Sequence, residues 1–440
     1  MLGLVLTAGG ARGAYQAGVL KRLGEIPALQ KSPCPFKIVA GASAGAINGA
    51  VIAAGSTSFR DATQQLARLW SDLTVKDVFK ADALSLANRG LTLLRDLALG
   101  GIIGAGHAPS LLDAAPLRDF LGRSLHLDGI DASIKNGRLY AIAITATSYH
   151  SGKCFTFIQG QPGHPLWTRS RRVTLPVKLT LDHILASAAI PIVFQPVLLK
   201  SEVGDFYFGD GGLRLVNPFS PAIRLGASRV FAVGIRCHRS ADDLSHTELV
   251  GLGDLKPVMG RPPLSQICGV FMNAIFLDHL DTDMDHLLRM NELIRSYGSR
   301  LPQASAASAD DPQPKAPMRI VEPLVVNPSE DLAIVAKALS HRMPWLVQYV
   351  MEGLGTPNAQ SADLMSYLLF DSAYTRELIY IGYRDASEQI DEIEEFLLGA
   401  EGTREPSTSA RRPSTRRPLQ RRRKASDNGA VRRPNRLAEA

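Results

Sequence analysis

The sequence predicts an α/β fold with a central, mostly parallel sheet, and two glycine-rich turns near the N-terminus carry this prediction. They lie at residues 9–13 and 41–45. Each turn follows a short apolar run typical of a buried strand (residues 2–6 and 36–40) and opens into a run typical of a helix. Two such strand–turn–helix units in succession favour parallel strands covered by helices.

Length and composition place the chain among large globular proteins. Its 440 residues exceed one compact domain, and its hydrophobic fraction of 45% and charged fraction of 21% are ordinary for a folded protein. Residues 403–440 hold 12 Lys or Arg and three Asp or Glu, so the net charge of +7 divides into +9 there and −2 elsewhere. The sequence therefore predicts a nearly neutral body with a basic tail.

The four cysteines favour a reducing compartment, because they are widely spaced and match no disulfide framework, metal site or C-x-x-C pattern. No metal or organic cofactor is implied. The N-terminus lacks the basic region of a signal peptide, and the apolar run at residues 39–54 is short and rich in Gly, Ala and Ser for a transmembrane helix. We therefore expect a cytoplasmic protein. The cysteines are Cys34, Cys154, Cys237 and Cys268.

Residues 1–75 are predicted to fold as βαβα, and residues 76–130 to be helical and apolar. Leucine-rich segments at 91–99 and 111–125 have more apolar surface than a connector needs. They fit either an ordinary helical insertion in the core or a lid or acyl-chain channel. The predicted helices of the first part are residues 14–25, 44–54 and 60–73.

Short strands are predicted to continue the α/β unit to about residue 236, and the C-terminal half is predicted to be mainly helical. We expect an α/β domain at 1–236, a helical extension at 260–400 with a flexible segment at 302–317, and a disordered tail at 403–440. The predicted strands are residues 139–147, 154–158, 206–208, 230–235 and 318–326, and the predicted helices are residues 183–189, 265–298 and 329–398, the last including apolar stretches at 364–370 and 378–383 and an acidic end at 388–398.

Residues 41–45 form a G-x-S-x-G element with Ser43 at its centre. In a strand-to-helix turn of this kind, the serine hydroxyl stands at the carboxyl edge of the sheet, where a base can activate it as a nucleophile. Ala44 would offer its N–H to a developing negative charge, and Gly41 and Gly45 leave room for the tight turn. The pattern is short enough to occur by chance, so a turn of small residues without chemistry stays open.

The turn at residues 9–13 offers main-chain N–H groups at the start of a helix. Such groups suit an oxyanion hole, in which one donor is typically worth about 3–4 kcal/mol of transition-state stabilisation. A phosphate-binding loop is disfavoured, because a P-loop Lys-Ser/Thr is missing, Ala8 replaces the first glycine of G-x-G-x-x-G, and no acidic residue in the 30s could hold a ribose. The candidate donors are Gly9, Gly10, Ala11, Arg12 and Gly13.

Asp210 is the preferred candidate base. It follows the short aromatic strand at 206–208 and precedes Gly211 and Gly212, whose tight backbone would hold a carboxylate beside a catalytic centre. Its structural alternative is a turn in a hairpin. A conventional hydrolase triad would place a histidine after the acid. His238 is the nearest, but the neighbouring arginine indicates a solvated loop.

Taken together, these elements resemble the patatin-like phospholipase family. The match comprises, in the family's order, the glycine turn with Arg12, the serine element, the Ala-Ser-Ala-Ala-Ile-Pro segment at residues 186–191 and Asp-Gly-Gly at residues 210–212. Asn217, Pro218 and the strand at 230–235 also lie where the family places similar residues. The resemblance covers residues 1 to about 236, departs from the family at Ala8, and implies a patatin-like three-layer fold.

The resemblance also implies a Ser–Asp dyad and a lipid acyl hydrolase. Ser43 would attack the ester carbonyl of a phospholipid or related lipid, and Asp210 would accept its proton. Main-chain N–H groups around Gly10 and Ala11 would hold the oxyanion, and Asp210 would then activate the water that hydrolyses the acyl-enzyme. Three roles stay open for Arg12: it could orient the glycine turn, contact an anionic head group, or form a structural salt bridge.

Other functions stay open at this stage: a non-lipid esterase or thioesterase with the same dyad, a triad hydrolase that uses His238, and a catalytically silent scaffold that binds a partner or a membrane. The arginine-rich tail is expected to be solvated. Peripheral contact with an anionic membrane and non-specific attraction to nucleic acid are its alternatives, of which the first suits a lipid substrate. Specific nucleic-acid binding is not expected.

Overall fold

The computed structural model describes residues 1–80, 110, 112–169, 171–201, 204–237, 279–297, 318–343 and 365–399. In this part of the chain, ten strands form one sheet with helices around it. The strands are β1 (Leu2–Leu6), β2 (Ile38–Ala42), β3 (Ala141–Ser148), β4 (Cys154–Gly160), β5 (Thr168–Arg169), β6 (Arg172–Pro176), β7 (Val197–Ser201), β8 (Gly204–Gly209), β9 (Arg229–Val233) and β10 (Glu322–Val326).

The helices begin directly after the first two strands and recur along the whole described chain. Three short 3-10 helices cover Gly10–Arg12, Gly211–Leu213 and Ser340–Arg342. The α-helices are α1 (Gly13–Gly24), α2 (Ala44–Ala54), α3 (Phe59–Asp72), α4 (Val75–Val78), α5 (Ala115–Ser124), α6 (Asp128–Lys135), α7 (Leu181–Ala188), α8 (Ser220–Arg224), α9 (Leu280–Tyr297), α10 (Leu332–Ala338), α11 (Ser372–Glu388) and α12 (Ile390–Leu398).

The sheet has a parallel half and a mixed half. Strands β10, β9, β1, β2 and β3 lie side by side in that order and are all parallel. β4 and β8 each pair antiparallel with β3, β6 runs parallel to β4, and β5 and β7 form the outer hairpins. Because parallel strands end at the same edge, the carboxyl ends of β1, β2 and β3 meet there.

Two hydrophobic clusters lie on opposite faces of the sheet, as the alternation within β1 shows. Leu4 and Leu6 point into the larger cluster, which includes buried residues of α1, α2, α3 and α11. Val5 points into the smaller cluster with residues of α8 and α9. The molecule is therefore a three-layer α/β structure, and the predicted fold class is confirmed.

The predicted elements near the N-terminus lie within a few residues of the observed ones. The helix predicted at 44–54 is α2, and those predicted at 14–25 and 60–73 each begin and end one residue earlier. The predicted strand at 230–235 is β9, which ends at Val233. Strands β5, β6 and β7 were not predicted. β5 has two residues and β6 ends in proline, so their pairing depends on tertiary contacts rather than on local pattern.

The C-terminal half contributes to the same sheet and core. β10 extends the sheet beside β9, while α11 packs against α1 and α3. The helical run predicted at 329–398 is divided among α10, α11 and α12, and residues 365–368 are also helical. The leucine-rich segment at 91–99, the linker at 302–317 and the tail at 403–440 lie outside the described residues. So does most of the boundary between 236 and 260, and the division into domains stays a prediction.

No helix among the described residues is long and apolar enough to cross a membrane.

Candidate active site

Ser43 lies in a strained turn between β2 and α2. Its backbone has φ 54° and ψ −124°, a conformation that residues other than glycine rarely adopt. A side chain at Gly45 would clash with the carbonyl oxygen of Leu6, so only glycine allows the helix to start this close to β1. Strain held in place by its surroundings is typical of a functional residue. The turn is the predicted elbow, and Ser43 is buried within it.

Ser187 ties this turn to the neighbouring strand. The main-chain N–H of Ser43 donates to Ser187 Oγ at 2.9 Å, and Ser187 Oγ donates to the carbonyl oxygen of Thr145 at 2.6 Å. The hydroxyl is fully buried and both of its bonds are made to main-chain groups. It therefore holds the strained turn against β3. The sequence pattern singled out the segment at 186–191 but did not indicate this role.

Asp210 lies where β8 ends and the 3-10 helix Gly211–Leu213 begins, and main-chain bonds hold it from two sides. Its N–H donates to the carbonyl oxygen of Ala189 at 2.9 Å, and its own carbonyl oxygen accepts the Thr147 hydroxyl at 2.9 Å. The Gly212 N–H donates to Asp210 Oδ1 at 2.7 Å. These contacts fix the orientation of a buried carboxylate.

The two predicted catalytic side chains are brought together. The pKa of Asp210 is raised from 3.8 to about 6, because burial disfavours the charged form, while hydrogen bonds from the Ser43 side chain and the Gly212 N–H act in the opposite direction. A carboxyl group with a pKa near 6 is ionised at neutral pH and is a stronger proton acceptor than an ordinary aspartate. Perturbed carboxyl groups of this kind are concentrated at functional sites.

The glycine turn leaves only some of its N–H groups for a ligand. Gly10 has φ +53°, and the carbonyl of Tyr367 occupies the space that a side chain there would need. Arg12 donates its N–H to the Gly9 carbonyl at 3.0 Å, and the Gly13 N–H bonds to carbonyl groups of the same turn. The hydrogen bonds described for this turn use neither the Gly10 N–H nor the Ala11 N–H. Because Ala44 is the first residue of α2, its N–H also lies at a helix start.

The Arg12 side chain packs against residues of the C-terminal half. Its Nε donates to Ser366 Oγ at 2.7 Å, and its guanidinium lies 4.4 Å from the centre of the Tyr367 ring. Arg12 is buried by these contacts. Sequence reasoning missed this partner segment, because its residues lie more than 350 positions away in the chain and show no motif.

A small apolar cavity of about 30 Å³ adjoins Ser43. Apart from Gly10 and Ser43, its walls are apolar side chains from α2, α3, α5, α7 and three loops. Its volume suffices for one or two water molecules. Leu117 and Leu121 of α5 line this cavity and also belong to the larger hydrophobic cluster, so both interpretations of residues 111–125 stay open. The lining residues are Gly10, Ser43, Ala44, Ile47, Leu69, Trp70, Leu73, Leu117, Phe120, Leu121, Ala188, Ile190, Phe194 and Phe370.

Two other questions about the site concern the alternative base and a bound metal ion. His238, the alternative base, lies outside the described residues. Within the part of the chain that the structure describes, no group of three or more His, Cys, Asp or Glu side chains is placed to hold a metal ion.

Comparison with protein families places the chain. The sequence model of the patatin-like phospholipase family matches residues 4–223, half of the chain. The chain belongs to the patatin-like phospholipase family.

Solved structures of several other proteins are similar to this chain at low sequence identity. VipD from Legionella pneumophila is 12% identical over 89% of this chain and 66% of its own, with a TM-score of 0.29. Human GIVD cytosolic phospholipase A2, in complex with methyl gamma-linolenyl fluorophosphonate, is 13% identical over 90% of this chain and 58% of its own, with a TM-score of 0.39. The chain thus spans less than two thirds of the length of these two proteins. ExoU of the ExoU–SpcU complex from Pseudomonas aeruginosa is a further similar structure. It is 16% identical over 84% of this chain and 74% of its own, with a TM-score of 0.23. A comparison with curated protein sequences finds no significant match.

Proposed function

We propose that this member of the patatin-like phospholipase family cleaves fatty-acyl ester bonds of phospholipids or related lipids, with Ser43 as nucleophile and Asp210 as base. One observation carries the proposal. The strained Ser43 is hydrogen-bonded to a buried carboxyl group of raised pKa and lines an apolar cavity. Family membership makes a lipid the preferred class of substrate.

In the first step, Asp210 accepts the hydroxyl proton of Ser43 as Oγ attacks the ester carbonyl carbon. The carbonyl oxygen becomes an oxyanion, which the N–H groups of Gly10, Ala11 and Ala44 would stabilise. Collapse of the intermediate breaks the ester C–O bond. The proton on Asp210 passes to the departing alcohol oxygen, and the acyl group remains on Ser43 as an ester.

In the second step, Asp210 takes a proton from a water molecule that attacks the acyl-enzyme. The same N–H groups would stabilise the second oxyanion. Its collapse breaks the bond between the acyl carbon and Ser43 Oγ, Asp210 returns its proton to Oγ, and the fatty acid is released. These steps use only protein groups and water. The turn's own hydrogen bonds engage the N–H groups of Arg12 and Gly13 and so leave Gly9, Gly10 and Ala11 as candidate donors. Among these, the family resemblance favours Gly10 and Ala11, and the Ala44 N–H is added because it lies at the start of α2.

The test is acyl release from a mixed phospholipid panel by wild type, Ser43→Ala and Asp210→Asn. Ser56→Ala is the matched control, since Ser56 is a buried serine just beyond the other end of α2. Among the described residues, its hydroxyl bonds to the carbonyl oxygens of Ile52 and Ala53 and to no catalytic candidate. We expect the two site variants to lose activity by at least about 1,000-fold while staying folded, and the control to retain it.

Each other outcome identifies a different function. Release from soluble esters or thioesters but from no lipid, with covalent labelling of Ser43 by a fluorophosphonate, would favour a non-lipid esterase or thioesterase. Neither release nor labelling would favour a silent scaffold. Full activity of Asp210→Asn together with loss in His238→Ala would replace the dyad by a triad.

A further inference from the structure

Four loops converge at the edge of the sheet where Ser43 lies. Because β4 and β6 run opposite to β3, their first residues stand at the edge where β2 and β3 end. The turn at 149–153 joins β3 to β4 at this edge, the β7–β8 hairpin projects beyond it, and Arg169 pairs with Arg172 at the tip of the β5–β6 hairpin. Arg172 hydrogen-bonds to Asn217, so this tip lies against the loop that follows Asp210.

Several large apolar side chains at this edge are exposed. Leu198 and Tyr207 are directly opposite each other in the β7–β8 hairpin, and Tyr149 donates its N–H to the carbonyl oxygen of Tyr207 at 3.0 Å. These three side chains are 36–43% exposed, and Val216 in the loop after Asp210 is 50% exposed. Apolar surface gathered at one place on a monomer marks an interaction site more often than scattered single residues do.

Positive charge accompanies the apolar residues. Arg169, Arg171 and Arg214 are exposed at the same edge, and none of them forms an ion pair with a described residue. The pKa of nearby Arg224 is lowered, first by burial and then by the positive charges of Arg169 and Arg172. Outside the tail the chain carries a net charge of −2, so this cluster is a local concentration of positive charge.

This surface also adjoins the candidate active site. The pKa of Tyr149 is raised to about 12, first by burial and then by the charge of Asp210. The ring of His150 stacks on that of Tyr207, with 6.1 Å between ring centres, and the His150 Nδ1 accepts the Tyr207 N–H at 3.3 Å. The aromatic cluster is therefore a built part of the fold beside the catalytic carboxyl group.

We propose that this rim, defined by Tyr149, Arg171, Leu198, Tyr207, Arg214 and Val216, docks on the surface of an anionic phospholipid bilayer. Tyrosine and aliphatic side chains enter the interfacial region of a bilayer, while guanidinium groups meet the phosphates of its head groups. The site of contact is distinct from the basic tail at 403–440. The proposal rests on the proposed function, since a docked rim would turn the Ser43 edge of the sheet toward lipid.

The test measures binding of the full chain to sedimented vesicles, in the Ser43→Ala form so that no lipid is consumed. One set of vesicles contains phosphatidylcholine alone and the other contains phosphatidylcholine with phosphatidylglycerol. Arg171→Gln/Arg214→Gln is compared with Lys135→Gln/Arg138→Gln, which removes the same net charge from exposed positions near the opposite edge of β3. We expect about 25-fold weaker binding to anionic vesicles for the rim pair, roughly fivefold per arginine, and little change for the control pair.

A second variant tests the apolar part of the rim. Tyr207→Ser is expected to weaken the binding that persists at high salt, where charge is screened, and Val216→Ser provides the same test at a position outside the hairpin. Equal binding by the rim pair and wild type, equal loss in rim and control pairs, or no preference of wild type for anionic vesicles would each overturn the proposal.

A soluble short-chain ester separates this proposal from the proposed function. With Ser43 restored, the rim pair should hydrolyse that ester as wild type does, because neither arginine contacts the dyad. Loss of vesicle binding with intact ester hydrolysis supports the docking surface. Vesicle binding through the rim without any ester hydrolysis would leave docking supported and the proposed function wrong.

Discussion

Replacing Asp210 by asparagine is expected to inactivate the protein and at the same time to stabilise its fold. The carboxyl group is buried, and burial raises its pKa from 3.8 to about 6. Because the folded state holds the carboxyl proton more tightly than the unfolded state, ionisation at neutral pH works against folding. Asparagine keeps the shape, can accept the Gly212 N–H, and can donate to Ser43 Oγ without a charge.

The size of the effect follows from the pKa difference. A difference of one unit corresponds to about 1.4 kcal/mol, so an ionised Asp210 costs the folded state about 3 kcal/mol at pH 7. Between pH 4 and 6 the unfolded state has released this proton and the folded state still holds it, so the contribution of Asp210 to stability falls as pH rises through this window. Below pH 3.8 both states hold the proton, so the penalty is absent and the contribution of Asp210 to stability is at its most favourable.

The assay is thermal unfolding of wild type and Asp210→Asn at pH 4, 6 and 8. For a unit of this size, 1 kcal/mol corresponds to roughly 2 °C, so we expect the variant to melt about 6 °C higher at pH 8 and no higher than wild type near pH 4. Asp119→Asn, at an exposed position, removes the same charge and should change the free energy of unfolding by less than about 0.5 kcal/mol. A variant that melts at or below the wild-type temperature at pH 8 would refute the argument, because Asp210 would then pay no desolvation penalty.

Three more changes test other contacts of the site. Ser187→Ala should lower kcat at least about tenfold with little change in KM, because the buried Ser43 N–H and Thr145 carbonyl each lose a hydrogen-bond partner worth about 1–3 kcal/mol. Ser187→Thr should restore part of kcat. A change in KM alone would contradict the positioning role of Ser187. Phe370→Ala should enlarge the cavity and raise the ratio of kcat/KM for long over short acyl esters, at a cost of about 3 kcal/mol in stability; an unchanged ratio would exclude Phe370 from the acyl site. Ile192, a β-branched residue at φ 68° with 51% exposure, should gain about 1 kcal/mol in stability on replacement by Asn, and an equal or lower melting temperature would show that the turn is not strained.

The local parts of the site could be predicted from the sequence, because a glycine-rich turn between a strand and a helix is encoded within a few residues. The strained serine turn, the start of α2 and the glycine turn before α1 all lie where their motifs predicted them. The closeness of Asp210 to Ser43 depended on the family resemblance, since the two residues are 167 positions apart in the chain and no local rule brings β8 to the end of β3.

The contacts made by distant segments could not be predicted. Tyr367 lies against Gly10, and Ser366 accepts a hydrogen bond from Arg12, yet the run Met-Ser-Tyr-Leu-Leu-Phe at 365–370 reads only as apolar sequence. The run is buried in the larger hydrophobic cluster. Its place over the glycine turn is decided by tertiary packing, which single-sequence periodicity does not encode.

The C-terminal half is therefore part of the candidate site. In α11, the Thr375 hydroxyl donates to the carbonyl oxygen of Trp70 at 2.8 Å, and Asp385 accepts the Tyr15 hydroxyl at 3.1 Å. Trp70 lines the cavity, and its Nε1 donates to Asn48 of α2 at 2.8 Å. Since α1 begins directly after the glycine turn and α2 directly after Ser43, these bonds tie α11 to both helices that present the proposed catalytic groups. The geometry of the proposed oxyanion hole thus depends on residues that the family resemblance, which ends near residue 236, does not cover.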